Sequence, residues 1–401
     1  MFTRRSRLGL LAATLAIVAS ACSGSATPTP AAPSAAASAA PSVAASMAPS
    51  TAPSMAPSTA PSASPAASAS TLLIGVVTDI GTVNDKGFNE YSYKGAVAGA
   101  QAIGAAAPGV IVPKDASEYA ADIQSFVGQN YNIIVTVGFN LVNDTEKAAK
   151  ANPKIDFIGV DQSPCIDSTG APDNSGKCAG AVATLLPNYH AFTFQENQAG
   201  YLAGIVAASA SKTGIIGAIG GTTLCNACVR YIQGYELGAK SVNPNVTVKS
   251  AYVTHDFSAA AFSDPVGGKA FAQNFMAANH PDVLFAVAGL TGNGVLDAAC
   301  AAGIWGVGVD VDQYLSLPND DKCIITSAEK HLVSAVTQAV QALANGGTIP
   351  TLFNATNDGI GAAPITNVTL PGVQAKLDAA LAAMKAGTLQ TCPTVGCGIA
   401  K

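Results

Sequence analysis

Between Thr78 and Glu90 the chain reads Thr-Asp-Ile-Gly-Thr-Val-Asn-Asp-Lys-Gly-Phe-Asn-Glu. Asp79 and Asp85 offer carboxylate acceptors, Asn89 an amide that both donates and accepts, and Phe88 an aromatic face set between Gly87 and Asn89. A turn has use for Gly and Asn but none for that Phe. Together these groups suit a ligand with a flat ring and hydroxyls, which needs a stacking face, amide donors and carboxylate acceptors. Taken alone, the stretch reads equally as a solvated turn with one core Phe.

The flanking sequence says where such a stretch would sit. Leu72 to Val77 is an apolar run long enough for one buried strand, and Tyr91 to Ile103 carries small and apolar residues at helical spacing. The stretch is then a loop at the carboxyl end of a strand, where open α/β sheets bind ligands. Short Val/Ile/Gly runs, from Leu73–Val77 to Cys323–Thr326, alternate with Ala-rich amphipathic segments, from Asn89–Ile103 to Ala328–Ala344. That alternation predicts parallel sheets flanked by helices. Two successive series predict two similar lobes with a ligand cleft between them.

Residues 1–21 read as a secretory signal: Arg4, Arg5 and Arg7, an apolar Leu8–Val18, then small residues before Cys22. The apolar run is too short for a stable transmembrane helix. Small residues directly before a cysteine resemble the lipobox of bacterial lipoproteins, which implies lipid on Cys22. Residues 22–70 hold Ala, Ser, Pro and a few other uncharged residues with no aromatic, so they form no core and read as a disordered tether. The signal segment takes three of the 20 Lys and Arg and none of the 25 Asp and Glu, so the remainder is more acidic than the whole-chain net of −5. An acidic domain without a basic stripe argues against a nucleic-acid polymer as partner.

Eight of the nine cysteines lie after Cys22, an even number that suits an oxidising compartment. Local spacing suggests Cys165–Cys178, Cys225–Cys228, Cys300–Cys323 and Cys392–Cys397. Cys225-Asn-Ala-Cys228 also has redox spacing, with no thioredoxin-like sequence around it. His190, His255, His280 and His331 are isolated in sequence, and no phosphate loop is present, so no metal, cofactor or catalytic residue is expected.

Several motifs recur in a family order: Thr78-Asp79…Phe88-Asn89, Phe157-Ile-Gly-Val-Asp161, Gln195-Glu196-Asn-Gln-Ala-Gly200, Phe262-Ser-Asp264-Pro265, Ala288-Gly289-Leu-Thr291-Gly292-Asn293-Gly294, Gly308-Val-Asp310-Val-Asp312-Gln313 and Thr326-Ser-Ala-Glu-Lys330. In these the chain resembles the basic membrane protein family of substrate-binding lipoproteins, which includes bacterial purine nucleoside receptors. The resemblance implies a two-lobed type I periplasmic-binding-protein-like fold delivering a nucleoside to the permease of an ABC importer. It implies an N-terminal lobe of 71–191 and 328–346 and a C-terminal lobe of 192–327 and 347–401, with three crossings. It further implies that Phe88 and Phe262 sandwich a base, that Asp79, Asn89 and Asp161 bond its edges, that Asp310 and Lys330 hold ribose hydroxyls, and that Gly289, Thr291 and Gly292 line the floor. The expected protein is a monomer, lipid-anchored outside the cytoplasm, with no enzymatic activity.

Two departures from the family pattern stand out. The segment Thr254–Pro265 is longer than expected, so Phe257 competes with Phe262 as the second ring. Ser163–Leu186, with Cys165 and Cys178, reads as an insertion beside Asp161 that narrows or alters specificity. Competing functions are a sugar-binding or sugar-sensing surface lipoprotein, whose ligand the same rings would stack on, and a secreted nucleoside hydrolase or Cys-x-x-Cys oxidoreductase.

Overall fold

The structure, a computed structural model, describes residues 70–400. The signal segment, Cys22 and the tether up to residue 69 lie outside the described residues. Twelve strands form two sheets of six. They are β1 (Ile74–Val77), β2 (Gly109–Ile111), β3 (Ile133–Val137), β4 (Asp156–Val160), β5 (Tyr189–Phe194), β6 (Ile215–Thr222), β7 (Thr247–Thr254), β8 (Val283–Val287), β9 (Trp305–Asp310), β10 (Ile324–Lys330), β11 (Leu352–Phe353) and β12 (Ile360–Ala362). The first sheet has the order β11-β5-β4-β3-β1-β2 and the second β12-β10-β9-β8-β6-β7. All pairings are parallel except β10 with β12. The matching orders make the lobes equivalent, with β4 corresponding to β9 and β5 to β10.

The central strands are apolar on both faces, as strands covered by helices on both sides must be. Every residue of β1, β3 and β8 is buried. The helix Phe88–Ala102 lies against the helix Leu332–Asn345, and a Cβ on Gly95 or Gly99 would press into Val336 or Val340. The helices Glu196–Ala210 and Asn226–Val242 approach more closely still. A Cβ on Gly200 or Gly204 would overlap the carbonyl oxygens of Tyr231 and Tyr235, and one on Gly234 or Gly238 those of Asn197 and Tyr201. This glycine-lined seam clamps the helix that carries Arg230 and Tyr231 to the one that begins with Glu196.

The sheets exchange the chain later than the expected lobe boundaries. β10 continues through Lys330 within the second sheet, where a helix from Ala328 was expected, and Leu352–Phe353 pairs with β5 in the first. Residues 328–330 therefore belong with the second lobe's sheet and residues 352–353 with the first's. A hydropathy reading stops at Thr326 because Ser327, Glu329 and Lys330 are polar; in the fold Ser327 and Lys330 are buried with partners.

All four locally spaced disulfides are present: Cys165–Cys178, Cys225–Cys228, Cys300–Cys323 and Cys392–Cys397. The 163–186 insertion packs Ile166 and Val182 on the first lobe with Leu141 and Phe157 and contributes nothing to the cleft cavity described below, contrary to the expectation that it narrows the site. Its anchor is Glu146, fully buried, whose Oε1 accepts the Cys165 N–H at 2.7 Å. Burial pushes this carboxyl up to about 7. A carboxyl whose folded pKa exceeds its unfolded value binds more protons when folded, so its share of the stability is present at low pH and is lost as pH rises from about 4.5 toward 7. Glu146→Gln keeps the acceptor and cannot ionise. Its melting temperature is expected to exceed wild type near pH 8 and to match it near pH 5; equal differences at both pH values would contradict the assignment.

Candidate ligand-binding site

One cavity opens between the two lobes, with about 680 Å³ of empty space when its open mouth is counted, and such clefts between lobes are where small ligands bind. Its wall includes Asp79, Phe88, Asn89, Asp161, Phe262, Gly289, Asp310 and Lys330. Residues from sequence positions 79 to 330 thus meet at the carboxyl ends of strands in both sheets, where parallel sheets place ligands.

Two aspartates mark the equivalence of the lobes. β4 runs into Gly159-Val160-Asp161-Gln162 and β9 ends Gly308-Val309-Asp310. Both aspartates adopt left-handed backbone, with φ of 59° and 65°, a conformation tolerated by Asp and Asn at modest cost and concentrated at functional sites. Each carboxylate is thereby turned from its strand end toward the cleft.

Between them lies Lys330, only 4% exposed, at the end of β10. Its Nζ donates to Asp161 Oδ2 and stands 3.3 Å from Glu196 Oε1 and 3.9 Å from Asp310 Oδ1. Arg230 Nε donates to Glu196 Oε2 at 2.6 Å, and the Tyr231 hydroxyl to Asp310 Oδ1 at 3.1 Å. Three carboxylates thus share two cations, leaving the cluster one negative charge in excess. Burial disfavours the Lys330 charge, yet Asp161, Glu196 and Asp310 together hold its pKa above the ordinary lysine value. Burial likewise pushes Asp161 and Asp310 up, opposed by Lys330. Glu196 feels the same burial but is pulled below its usual range by Lys330 and Arg230. Asp161 Oδ1 and Asn89 Oδ1 are buried acceptors without a partner in the protein. Leaving such atoms unmatched costs about 1–3 kcal/mol each, so this part of the cavity demands donors.

The other walls are apolar or aromatic. Lys330 Nζ sits 5.2 Å from the Phe88 ring centroid. Phe262 meets Phe139 of the opposite lobe edge-on, with centroids 6.3 Å apart. Phe257 is 46% exposed, and its ring rests against Phe139 rather than on the cavity wall. Val287, Leu290 and Val309 add apolar surface to the wall. Asp79 lines the cavity, but its carboxylate already accepts from Tyr119, the Asn140 amide and the Ile80 N–H, while burial raises its pKa.

Thr291 and Gly292 do not line the floor as expected. The Thr291 hydroxyl donates to the Ala260 carbonyl at 3.0 Å and accepts the Asp264 N–H at 2.8 Å, so it pins the loop that carries Phe262. Of the three residues expected there, Gly289 does line the wall, together with its neighbours Ala288 and Leu290. The sequence reading also missed Phe139, Glu196, Arg230 and Tyr231. Phe139 follows β3 as Gly289 follows β8, so the rule of strand carboxyl ends would have found it. Glu196 lay in a quoted motif without a role. For Arg230 and Tyr231 the only local signal was their position just after Cys228.

The lobes also touch directly. Asn293 Nδ2 donates to the Asp85 carbonyl at 2.8 Å and Ser316 Oγ to the Lys86 carbonyl at 2.9 Å. Gln313 orients Asn293 by donating to its Oδ1 at 2.9 Å, while the Asp85 carboxylate caps the helix of Phe88 through the N–H groups of Gly87, Asn89 and Glu90. Closure therefore grips the loop that presents Phe88 and Asn89. Asn293→Ala should speed ligand release about fivefold, the worth of one net hydrogen bond near 1 kcal/mol, with little change in association. Stopped-flow measurements showing the whole effect in association would contradict this.

Among the described residues no group of His, Cys, Asp or Glu is placed to hold a metal, and no helix is long and apolar enough to cross a membrane. Residues 73–362 match the Bmp family, described as ABC transporter substrate-binding protein PnrA-like. The chain is 31% identical over 310 residues to the ABC transporter nucleoside-binding protein BmpA of Lactococcus lactis, covering 72% of this chain and 80% of that one. It is 32% identical over 265 residues to basic membrane protein D of Borreliella burgdorferi, covering 65% and 68%. Among solved structures, an ABC-transporter solute-binding protein of Aeropyrum pernix superposes with a TM-score of 0.63 at 19% identity, over 80% of this chain and 92% of that one. A further solute-binding protein, from Conexibacter woesei, gives 0.58 at 22% identity, over 80% and 98%. These two share the two-lobed fold. By the match over 73–362 and by its relatives, the chain belongs to the Bmp family of PnrA-like substrate-binding proteins of ABC transporters.

Proposed function

We propose that this protein captures a purine nucleoside between its lobes and presents it to the permease of an ABC importer, held outside the cytoplasm by lipid on Cys22. The carrying observation is the juxtaposition in one cavity of two phenylalanines, Phe88 and Phe262, with the Asp161–Lys330–Asp310 cluster. A purine has two faces for stacking, and its ribose has vicinal hydroxyls that donate to carboxylates. In this reading Phe88 and Phe262 enclose the base, and Asn89 and Asp161 accept from its edge, with Asp79 on the same wall. Asp310 takes the ribose hydroxyls, its charge balanced by Lys330. The nucleoside-binding name of the Lactococcus relative supports the same ligand class.

A thermal-shift screen against nucleosides, free bases and sugars tests this, since a ligand that binds only the native state raises its stability with the logarithm of its concentration. Adenosine, guanosine or inosine should raise the melting temperature. Phe88→Ala should weaken nucleoside and free base alike by about 1–3 kcal/mol, the worth of one stacking ring. Stabilisation by a sugar and by no nucleoside would overturn the ligand assignment while leaving the fold intact. Cys22→Ala should release the protein from the membrane fraction, and its retention would contradict the anchor.

A further inference from the structure

The Cys225–Cys228 disulfide forms part of the cleft cavity's wall. Both residues and Ala227 between them face the cavity, and the cysteines are 3% and 5% exposed. None of the other six bonded cysteines lines that cavity. The bridge spans the first turn of the helix Asn226–Val242, and Cys225 Sγ caps it by accepting the Cys228 N–H at 3.1 Å. One turn later the same helix supplies Arg230, at 2.6 Å from Glu196, and Tyr231, at 3.1 Å from Asp310. The first turn of a helix is where backbone donors lack intrahelical partners and where fraying starts. Here the covalent bridge holds that turn, while the glycine seam at Gly234 and Gly238 clamps the turns beyond it.

We propose that this disulfide is a redox-linked part of the ligand site: oxidised, it fixes the wall and the Arg230–Tyr231 turn for tight binding; reduced, it lowers ligand affinity without unfolding the lobe. A dithiol would be the reductant. Its two thiols transfer two electrons and two protons, the Cys225–Cys228 bond opens to two thiols, and the dithiol closes its own S–S bond. The inference rests on the nucleoside reading only for the choice of ligand. Linkage makes it quantitative. If reduction weakens ligand binding by some factor, saturating ligand must make reduction harder by that same factor, and for a two-electron couple each tenfold is about 30 mV.

The test uses the full chain, with adenosine and guanosine as probes. It is equilibrated in dithiothreitol buffers of graded potential, and the thiols of the 225–228 peptide are counted by alkylation and mass spectrometry. Reduction is expected to weaken binding about tenfold by calorimetry, and saturating nucleoside should move the 225/228 midpoint about 30 mV more negative. The variant Cys225→Ser with Cys228→Ser should bind weakly under both conditions. A midpoint indifferent to ligand would overturn the proposal, as would an equal loss on reduction in wild type and variant. The midpoint measurement needs no variant, so it stands even if the serine pair fails to fold. If neither nucleoside binds the oxidised wild type, the nucleoside reading fails separately, and amide hydrogen exchange decides. Faster exchange at 226–231 on reduction, with 234–238 unchanged, supports the positioning role; unchanged exchange throughout sinks it.

Discussion

Lys330→Met is expected to abolish ligand binding and to destabilise the chain by about 3–5 kcal/mol, the usual cost of stripping one partner from a buried ion pair. The lysine is the shared cation of Asp161, Glu196 and Asp310, all buried. Arg230 bonds Glu196, so without Lys330 both aspartates lose their nearest cation, and Asp310 keeps only the Tyr231 hydroxyl. Their folded pKa values then rise further above the unfolded ones. A carboxyl shifted up contributes stability at low pH and loses it as pH rises through the carboxylate range toward its folded value. The stability gap between wild type and variant should therefore be widest near pH 8 and narrow toward pH 5. Chemical denaturation at the two pH values measures it. A variant that binds nucleoside normally, or whose deficit does not depend on pH, would show that the cluster is not organised around this lysine.

The second large effect separates the two ends of the ligand. Asp310→Asn is expected to lower nucleoside affinity by about 2–5 kcal/mol, the cost of truncating one side of a buried charged hydrogen bond, and to leave binding of a free purine base almost unchanged. Asparagine tolerates the left-handed backbone that Asp310 adopts, at φ 65°, so the substitution removes charge while sparing the strand end. Asp310→Ala should abolish measurable nucleoside binding, since it removes the acceptor as well. A base carries no ribose hydroxyls for Asp310 to accept from, so the contrast between nucleoside and base is the informative quantity. Calorimetry with adenosine and adenine on wild type and the Asn variant decides it. Equal losses for both ligands would place Asp310 on the base, and no loss for either would remove it from the site.

Much of this molecule is written locally in its chain. Buried parallel strands leave near-continuous apolar runs, and the strands Ile133–Val137 and Val283–Val287, buried throughout, coincide with such runs in the sequence. Cysteines close in sequence pair because short loops close readily, which made the four disulfides legible. Asp79 and Phe88 were visible in the loop that follows the first strand, whereas Asp161, Asp310 and Lys330 were visible only through the family motifs that contain them.

Which of those groups satisfies which was decided only by tertiary structure. Asp161, Glu196, Arg230, Asp310 and Lys330 come from separate elements of both lobes, and the pairing of buried charges depends on distances of a few ångströms that sequence separation does not encode. The same holds for Thr291, whose hydroxyl the fold spends on the Phe262 loop, and for Phe257, which lies outside the cavity because the long 254–265 segment sets Phe262 inward. β10 reaches Lys330 through polar residues because the fold supplies the partners that make their burial tolerable. Hydrophobic periodicity records what each segment buries, whereas partner choice among polar groups is settled when segments distant in sequence are brought into contact.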